Sequence, residues 1–480
     1  MRTLIIIFSL LFLFNATNGQ SWEKIYGLSG RFDAFQNLTE SYDSGFLVLG
    51  ATDYFPDTRG LLIKTDLNGN ILYQIQLGIE NINDELNLPF SIDNTVDGGS
   101  IICTAQGPSY LGDIGIIKLD ACGDLEWCKV FRTDDDPDWG VEIKQLSDGG
   151  YIMLTFQYGY YIYTPRIHLF RFDSSGELLW IEPYALESNY PLMNENMPED
   201  IVVTPEEDFF ISGHCYWCDE PLGSGGVHTQ CRIKSLAIMA DSSRYENWLR
   251  AYEADDTLSY SLGGWSTQYK SGSFYVGAID ESIWPYKPRL LKYDYEGNLI
   301  HDSIVEIPML DNKIAEGFMV NPSFTSDGRL FTCMRFVEQL NTYPGLFGLH
   351  ELDSLGGWHK SIMHPSAHAP VGLIVTSDDK LLAGAVVGSE LNQDIILMKF
   401  NTSLEYDSIY TAPREYDYLC PEPIVSKTID LSSCEVIVDI KDIPTRKEYE
   451  ARVSLIPITP APSPAGDYVR FLLENTEYHS

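Results

Sequence analysis

Cys215-Tyr-Trp-Cys218, followed by His228 and Cys231, combines the thiol and imidazole types that hold zinc. His359, His364 and His368 form a second metal-type group, although no carboxylate can be assigned beside them. Asp134-Asp135-Asp136-Pro137-Asp138 concentrates the oxygen ligands that hard cations want, but it lacks the alternating acids and glycine of an EF-hand loop. Each group also has a plainer reading, and the plainer one is preferred: a disulfide between two of the three cysteines, a histidine-bearing surface loop, and a solvated acidic loop. No metal site and no cofactor is therefore assigned, with calcium as the residual candidate. The chain contains no Gly-x-Ser-x-Gly turn, no His-Glu-x-x-His helix and no phosphate-cradling glycine loop. With 69 acidic residues, any carboxylate pair picked for glycoside cleavage would be arbitrary, so no catalytic residue is named. Aromatic residues give a more definite signal. Tyr158, Tyr160, Tyr161 and Tyr163, with Trp284 and Tyr286, fall where connecting loops are expected, and exposed rings there can stack on sugars or anchor a protein partner.

The elements that must position these residues are repeated. A turn followed by an apolar strand begins at Asp43, Asp97, Asp148, Glu207, Ser271, Asp327 and Asp378, seven starts whose mean spacing is 335/6, about 56 residues. A second anchor recurs as Lys64-Thr-Asp66-Leu-Asn-Gly69, Lys118-Leu-Asp120-Ala-Cys-Gly123, Arg171-Phe-Asp173-Ser-Ser-Gly176 and Lys292-Tyr-Asp294-Tyr-Glu-Gly297, with shorter or degenerate forms at Asp353 and Asp241. This is a hairpin turn in which the aspartate accepts backbone N–H bonds and the glycine takes positive φ. The aspartates Asp66, Asp120, Asp173, Asp241, Asp294 and Asp353 are accordingly read as structural caps. Seven residues past four of them stands an aromatic, Tyr73, Trp127, Trp180 or Trp248, placed to pack between neighbouring units. Each unit holds about four strands' worth of β-favouring sequence and cannot bury its faces alone. The expected fold is all-β, a seven-bladed β-propeller with a small C-terminal β appendage.

Charge and composition narrow the function classes. A formal charge of −37 and a pI near 4.4 repel nucleic acid and anionic lipid surfaces. The run from Leu4 to Phe14 is too short to span a bilayer and reads as a signal peptide cut before Gln20. Export to an oxidising compartment makes Cys122–Cys128, flanking one hairpin turn, and Cys420–Cys434, flanking a short β-like stretch, the expected disulfides. A buried Cys103 or Cys333 is the simplest leftover thiol. The domain reading is 1–19 signal peptide, 20–411 propeller, 412–448 a short cysteine-containing β segment, and 449–480 a Pro-rich linker with one strand.

The Asp-Gly-Gly-Phe-type strand and the Lys-x-Asp-x-x-Gly-x-x-x-Trp hairpin resemble the propeller repeats of secreted Bacteroidota proteins. Pro462-Ser463-Pro464-Ala465-Gly466-Asp467-Tyr468-Val469 is similar to the opening of a type IX secretion C-terminal sorting domain, which implies surface attachment or release. Together these features give the expected function: a secreted or cell-surface, monomeric, non-catalytic scaffold binding glycans or proteins, with neither nucleic-acid partner nor integral membrane segment. The alternatives are an extracellular glycan-cleaving hydrolase using carboxylates in the propeller mouth and a purely structural repeat protein. An Asp or Glu of raised pKa beside a second carboxylate in the central funnel would mark the hydrolase.

Overall fold

The computed structural model describes residues 22–28, 30–53, 58–79, 85–108, 112–132, 138–157, 166–185, 193–218, 231–252, 262–280, 285–338, 341–389, 392–411, 420, 426–438, 459–461 and 470–472. Among these residues every regular element is a strand except one 3-10 turn, Leu431–Ser433, and no helix is long and apolar enough to cross a membrane. The all-β expectation holds, and the architecture is a β-propeller.

The first sheet is an antiparallel meander of Asp33–Glu40, Phe46–Thr52, Arg59–Thr65 and Ile71–Leu77. Meanders at 85–132, 138–184, 193–252 and 262–304 form the second to fifth sheets. The middle strands are near-continuous apolar runs such as Phe46–Thr52 and Asp113–Leu119, and every residue in both is buried. Burial on both faces follows from each sheet being sandwiched between two others. Hydrophobic clusters lie between successive sheets, and one of them joins Phe35, Leu38 and Phe46 of the first sheet to Leu382, Ile395 and Leu397 of the last.

Expected as seven four-stranded units, the hydrogen-bonded sheets number three with four strands, two with five and one with seven, apart from a two-stranded pair at 459–461 and 470–472. Two causes account for the difference. The strand Trp358–Val375 is continuous: its first part pairs with Asn341–Leu352 and its second part with Leu381–Ser389, so two meanders share one ladder. The N-terminal strand Glu23–Tyr26 then pairs with Asn392–Phe400 as the outermost strand of that ladder. The tail supplies the fifth strands. Lys427–Ile429 runs parallel to Ile71–Leu77, and Glu435–Val438 runs parallel to Leu125–Arg132. Instead of standing apart, residues 427–438 strap the rims of the first two sheets, with Ile429, Leu431 and Cys434 buried in the cluster between them.

Candidate functional site

At the outer turns the repeat is literal. Asp66 Oδ1 accepts the N–H groups of Asn68 and Asn70, both at 2.8 Å, while Gly69 sits at φ +73°. Asp120, Asp173 and Asp353 accept the same pair of turn N–H groups, and Asp241 and Asp294 accept the later one. At four strand-start anchors a buried cation two residues before the turn residue reaches the anchor aspartate, as Lys64–Asp43 at 2.5 Å, Lys118–Asp97 at 2.9 Å, Arg171–Asp148 at 2.5 Å and Lys399–Asp378 at 3.2 Å. The recurring tryptophan lies on the turn of the next sheet. A Cβ on Gly176 would strike the Trp127 ring, and one on Gly297 would strike Trp248, whose Nε1 donates to Tyr295 O at 3.0 Å. Where the turn glycine is missing, Arg244 takes φ +75° in its place and lays its guanidinium over Trp180 at 5.3 Å. Trp22, which sequence reasoning passed over, has the same role for the first sheet: its ring blocks a Cβ at Gly69 and its Nε1 donates to Leu67 O at 3.2 Å.

The four cysteines expected in disulfides are bonded, but crosswise. The bridges are Cys122–Cys420 and Cys128–Cys434, with Cα atoms 5.1 and 4.9 Å apart. Cys128 faces Ile117 across its hairpin rather than Cys122, and the parallel strand Glu435–Val438 brings Cys434 beside it. Cys218 is also disulfide-bonded, and the residue opposite it in the ladder is Cys231, so it is no free thiolate for zinc. Cys103, Cys215 and Cys333 are free and buried. Contrary to the surface-loop reading, the histidine group lies on the strand Trp358–Val375. His364 is buried there, pairs with Glu23 at 3.1 Å and accepts the Ala367 N–H at 2.7 Å. Asp138 begins a strand and is buried. Tyr158, Tyr160, Tyr161, Tyr163 and Trp284, like Asp134–Asp136 and His228, lie outside the described residues. Tyr286 is half-buried, and its carbonyl accepts the Gly317 N–H at 3.1 Å.

Chemistry converges on the axis instead. The first strand of each sheet, with the second part of Trp358–Val375, lines a cavity of about 900 Å³. At matching heights these strands break register: between Phe35 and Asn37, Pro89 and Ser91, Gly140 and Glu142, Pro198 and Asp200, and Gly264 and Ser266. Bulges of this kind re-aim the side chains that follow them. The position just past the bulge holds Asn37, Ser91, Glu142, Asp200 and Ser266 in successive sheets, so Glu142 and Asp200 are equivalent residues of adjacent sheets. Two residues on, and therefore on the same strand face, Asp93 and Lys144 are the equivalent pair of the second and third sheets.

Glu142 and Lys144 act electrostatically on Asp93 and Asp200. Lys144 Nζ donates to Glu142 Oε1 at 2.5 Å. Burial opposes the Lys144 charge, but Glu142, Asp93 and Asp200 hold its pKa above the ordinary lysine value. Burial, reinforced by the negative Glu142, pushes the Asp200 carboxyl up to about 7, even though its Oδ2 accepts the Thr267 N–H at 2.7 Å. Asp93 is raised too, chiefly by burial, against the pull of Lys144 and a 2.9 Å bond from the Gln145 N–H. The arrangement places a carboxyl of raised pKa and a lysine-bound carboxylate at equivalent positions of adjacent sheets, in a cavity large enough for a small oligosaccharide.

No protein-family model matches the chain, and no curated protein matches it. Solved structures similar to it include the GH93 α-L-arabinofuranosidase of Fusarium graminearum in complex with arabinobiose, at 9% identity and TM-score 0.43, with 81% of this chain and 99% of that one covered. The native arabinanase of Bacillus subtilis is similar at 13% identity and TM-score 0.29, over 66% of this chain and 96% of that one. A polysaccharide lyase is similar at 9% identity and TM-score 0.44, over 80% and 93%. The expectation of a non-catalytic scaffold for glycans or proteins is corrected here. The funnel carries an acid of raised pKa and a second carboxylate, the pair that the sequence reading sets as the mark of the hydrolase alternative.

Proposed function

We propose that this protein is an extracellular glycan-cleaving hydrolase working in the axial funnel. One observation carries the reading: Asp200, its carboxyl pushed up to about 7 by burial and by Glu142, occupies the position equivalent to Glu142 on the adjacent sheet, and both line one cavity. Asp200 would protonate the departing glycosidic oxygen. Glu142, hydrogen-bonded by Lys144, would act on the other side of the ring as general base or nucleophile. To test this, the protein and its Asp200→Asn variant are incubated with a polysaccharide panel that includes arabinan, and released oligosaccharides are followed by mass spectrometry. Asparagine can still accept the Thr267 N–H, so the fold is retained. The expected result is cleavage of at least one polymer, with turnover about 10²- to 10⁴-fold lower in the variant. An inert wild-type protein, or a variant that cleaves as fast, overturns the reading.

The same proposal takes the propeller as seven-bladed, the seven-stranded ladder counting as two blades that share Trp358–Val375. The hydrophobic cluster joining Phe331, Phe347 and Leu349 to Leu381, Ala383 and Ile396 supports it, because it fills the space between those two halves as other clusters do between separate sheets. Export by a signal peptide cut before Gln20, with sorting of the type that 462–469 resembles, is part of the proposal and is supported by the disulfides. Mass analysis of the mature termini from a secreting host tests it.

A further inference from the structure

Most of the cavity wall comes from first strands or from the second part of Trp358–Val375, but Arg335 reaches it from a second strand, Leu330–Glu338. The backbone is opened for it. The adjoining first strand, Lys313–Phe324, jumps in register from Glu316 to Val320, where the other inner bulges skip a single residue at this level. Gly317, inside that jump at φ +94°, has Arg335 Nε 3.6 Å from where a Cβ would stand. On the other side of the stem, a Cβ on Gly345 would lie 3.0 Å from Arg335 Cβ and Cδ. Arg335 thus passes Gly317 at ordinary contact distance and packs tightly on Gly345 on its way to the cavity. There its guanidinium pairs with Glu316, a wholly buried carboxylate, while about a third of its own side chain stays exposed to the cavity.

A buried ion pair adds little stability over an apolar pair of the same size, so such a device is better accounted for by what the exposed part of the cation can bind. Guanidinium is a planar fork that fits a carboxylate. The surroundings tolerate an incoming anion: Lys144 offsets Glu142, Glu316 is matched by Arg335 itself, and Asp93 and Asp200 are both shifted toward the neutral form.

We propose that Arg335, held from behind by Glu316, is the receptor for a sugar carboxylate, which makes the ligand of this funnel a uronate-containing glycan. The inference rests on the funnel being the substrate site, but it is tested by binding alone, so it can fail or survive independently of any cleavage. The full-length protein is titrated with glucuronate, galacturonate, mannuronate, guluronate and iduronate, with their neutral parent sugars, and with a sulfated hexose, binding being read by ligand-observed NMR. At least one uronate is expected to bind in preference to its neutral parent. That preference should fall about 10- to 100-fold in Arg335→Gln, the size of effect expected when a hydrogen bond to a charged group is lost. Because Arg335→Gln alone strands Glu316, the double variant Glu316→Gln/Arg335→Gln serves as the folded control and should show the same loss. Glu316→Gln alone leaves the guanidinium unpaired and should tighten uronate binding. Binding of neutral sugars as strong as that of all five uronates, a preference for the sulfated sugar only, or a uronate preference unchanged in both arginine variants overturns the assignment.

Discussion

The outer rim and the axis of this propeller use the same backbone repeat in opposite ways. At the rim, equivalent positions carry equivalent residues: aspartate at six of the turns, glycine or a left-handed substitute three residues later, and in four units a cation reaching the strand-start aspartate. At the axis, equivalent positions carry Asn37, Ser91, Glu142, Asp200 and Ser266, an amide, an alcohol, two acids of different length and a second alcohol. The rim is uniform because every sheet meets the same mechanical demand there. The axis is varied because the sheets contribute different groups to one shared cavity.

Substitutions at the two places should therefore separate turnover from stability. The largest effect is expected at the axis, where Glu142→Gln should lower turnover about 10²- to 10⁴-fold with little change in melting temperature. The sign of the pH response follows from the raised Asp200 carboxyl. Wild-type kcat/KM should fall as pH rises through about 7 and the acid loses its proton. In Glu142→Gln the negative neighbour is gone, so the Asp200 carboxyl, followed by infrared difference spectroscopy, should titrate at lower pH. An unmoved titration would show that burial alone sets it. Next in size is Lys64→Met at the rim, which leaves Asp43 unpaired where both side chains are more than nine-tenths buried. It should cost about 3 kcal/mol in denaturant unfolding and leave turnover intact. Cys434→Ser releases the strap from the second sheet and should cost about 2 kcal/mol, seen as faster proteolysis within 426–438 at unchanged activity. The smallest effect is at one cap, where Asp294→Ala removes the acceptor for the Asn298 N–H and should cost about 1 kcal/mol. A rim substitution that lowers turnover, or an axial one that lowers stability instead, would erase the distinction.

The rim was legible in the sequence because its repeat is one of residue identity. The Asp-x-x-Gly turn and the aromatic seven residues later announce themselves wherever they recur, and the fold class follows from their count and spacing. The axis repeats only in geometry. Glu142 and Asp200 each stand four residues before the first residue of the inner hairpin turn, Leu146 and Thr204, as Asn37 stands before Ser41 and Ser91 before Thr95. Counting back from those turns would have placed both acids at one level, but the inward aim comes from bulges that leave no residue signature. The disulfides were misjudged for a similar reason. Nearness in sequence favoured Cys122 with Cys128, whereas a parallel strand arriving from 306 residues away supplied Cys434. Trp22 was missed because it serves the repeat from outside the repeat, directly before a strand that completes the last ladder from the other end of the chain.

That last arrangement has a consequence in time. Glu23 is hydrogen-bonded opposite Met398, so the first strand to be synthesised waits for nearly the last one. Until residues 392–400 have emerged, Trp22 has no ladder to hold it over the first sheet's turn, and the first and last sheets cannot meet.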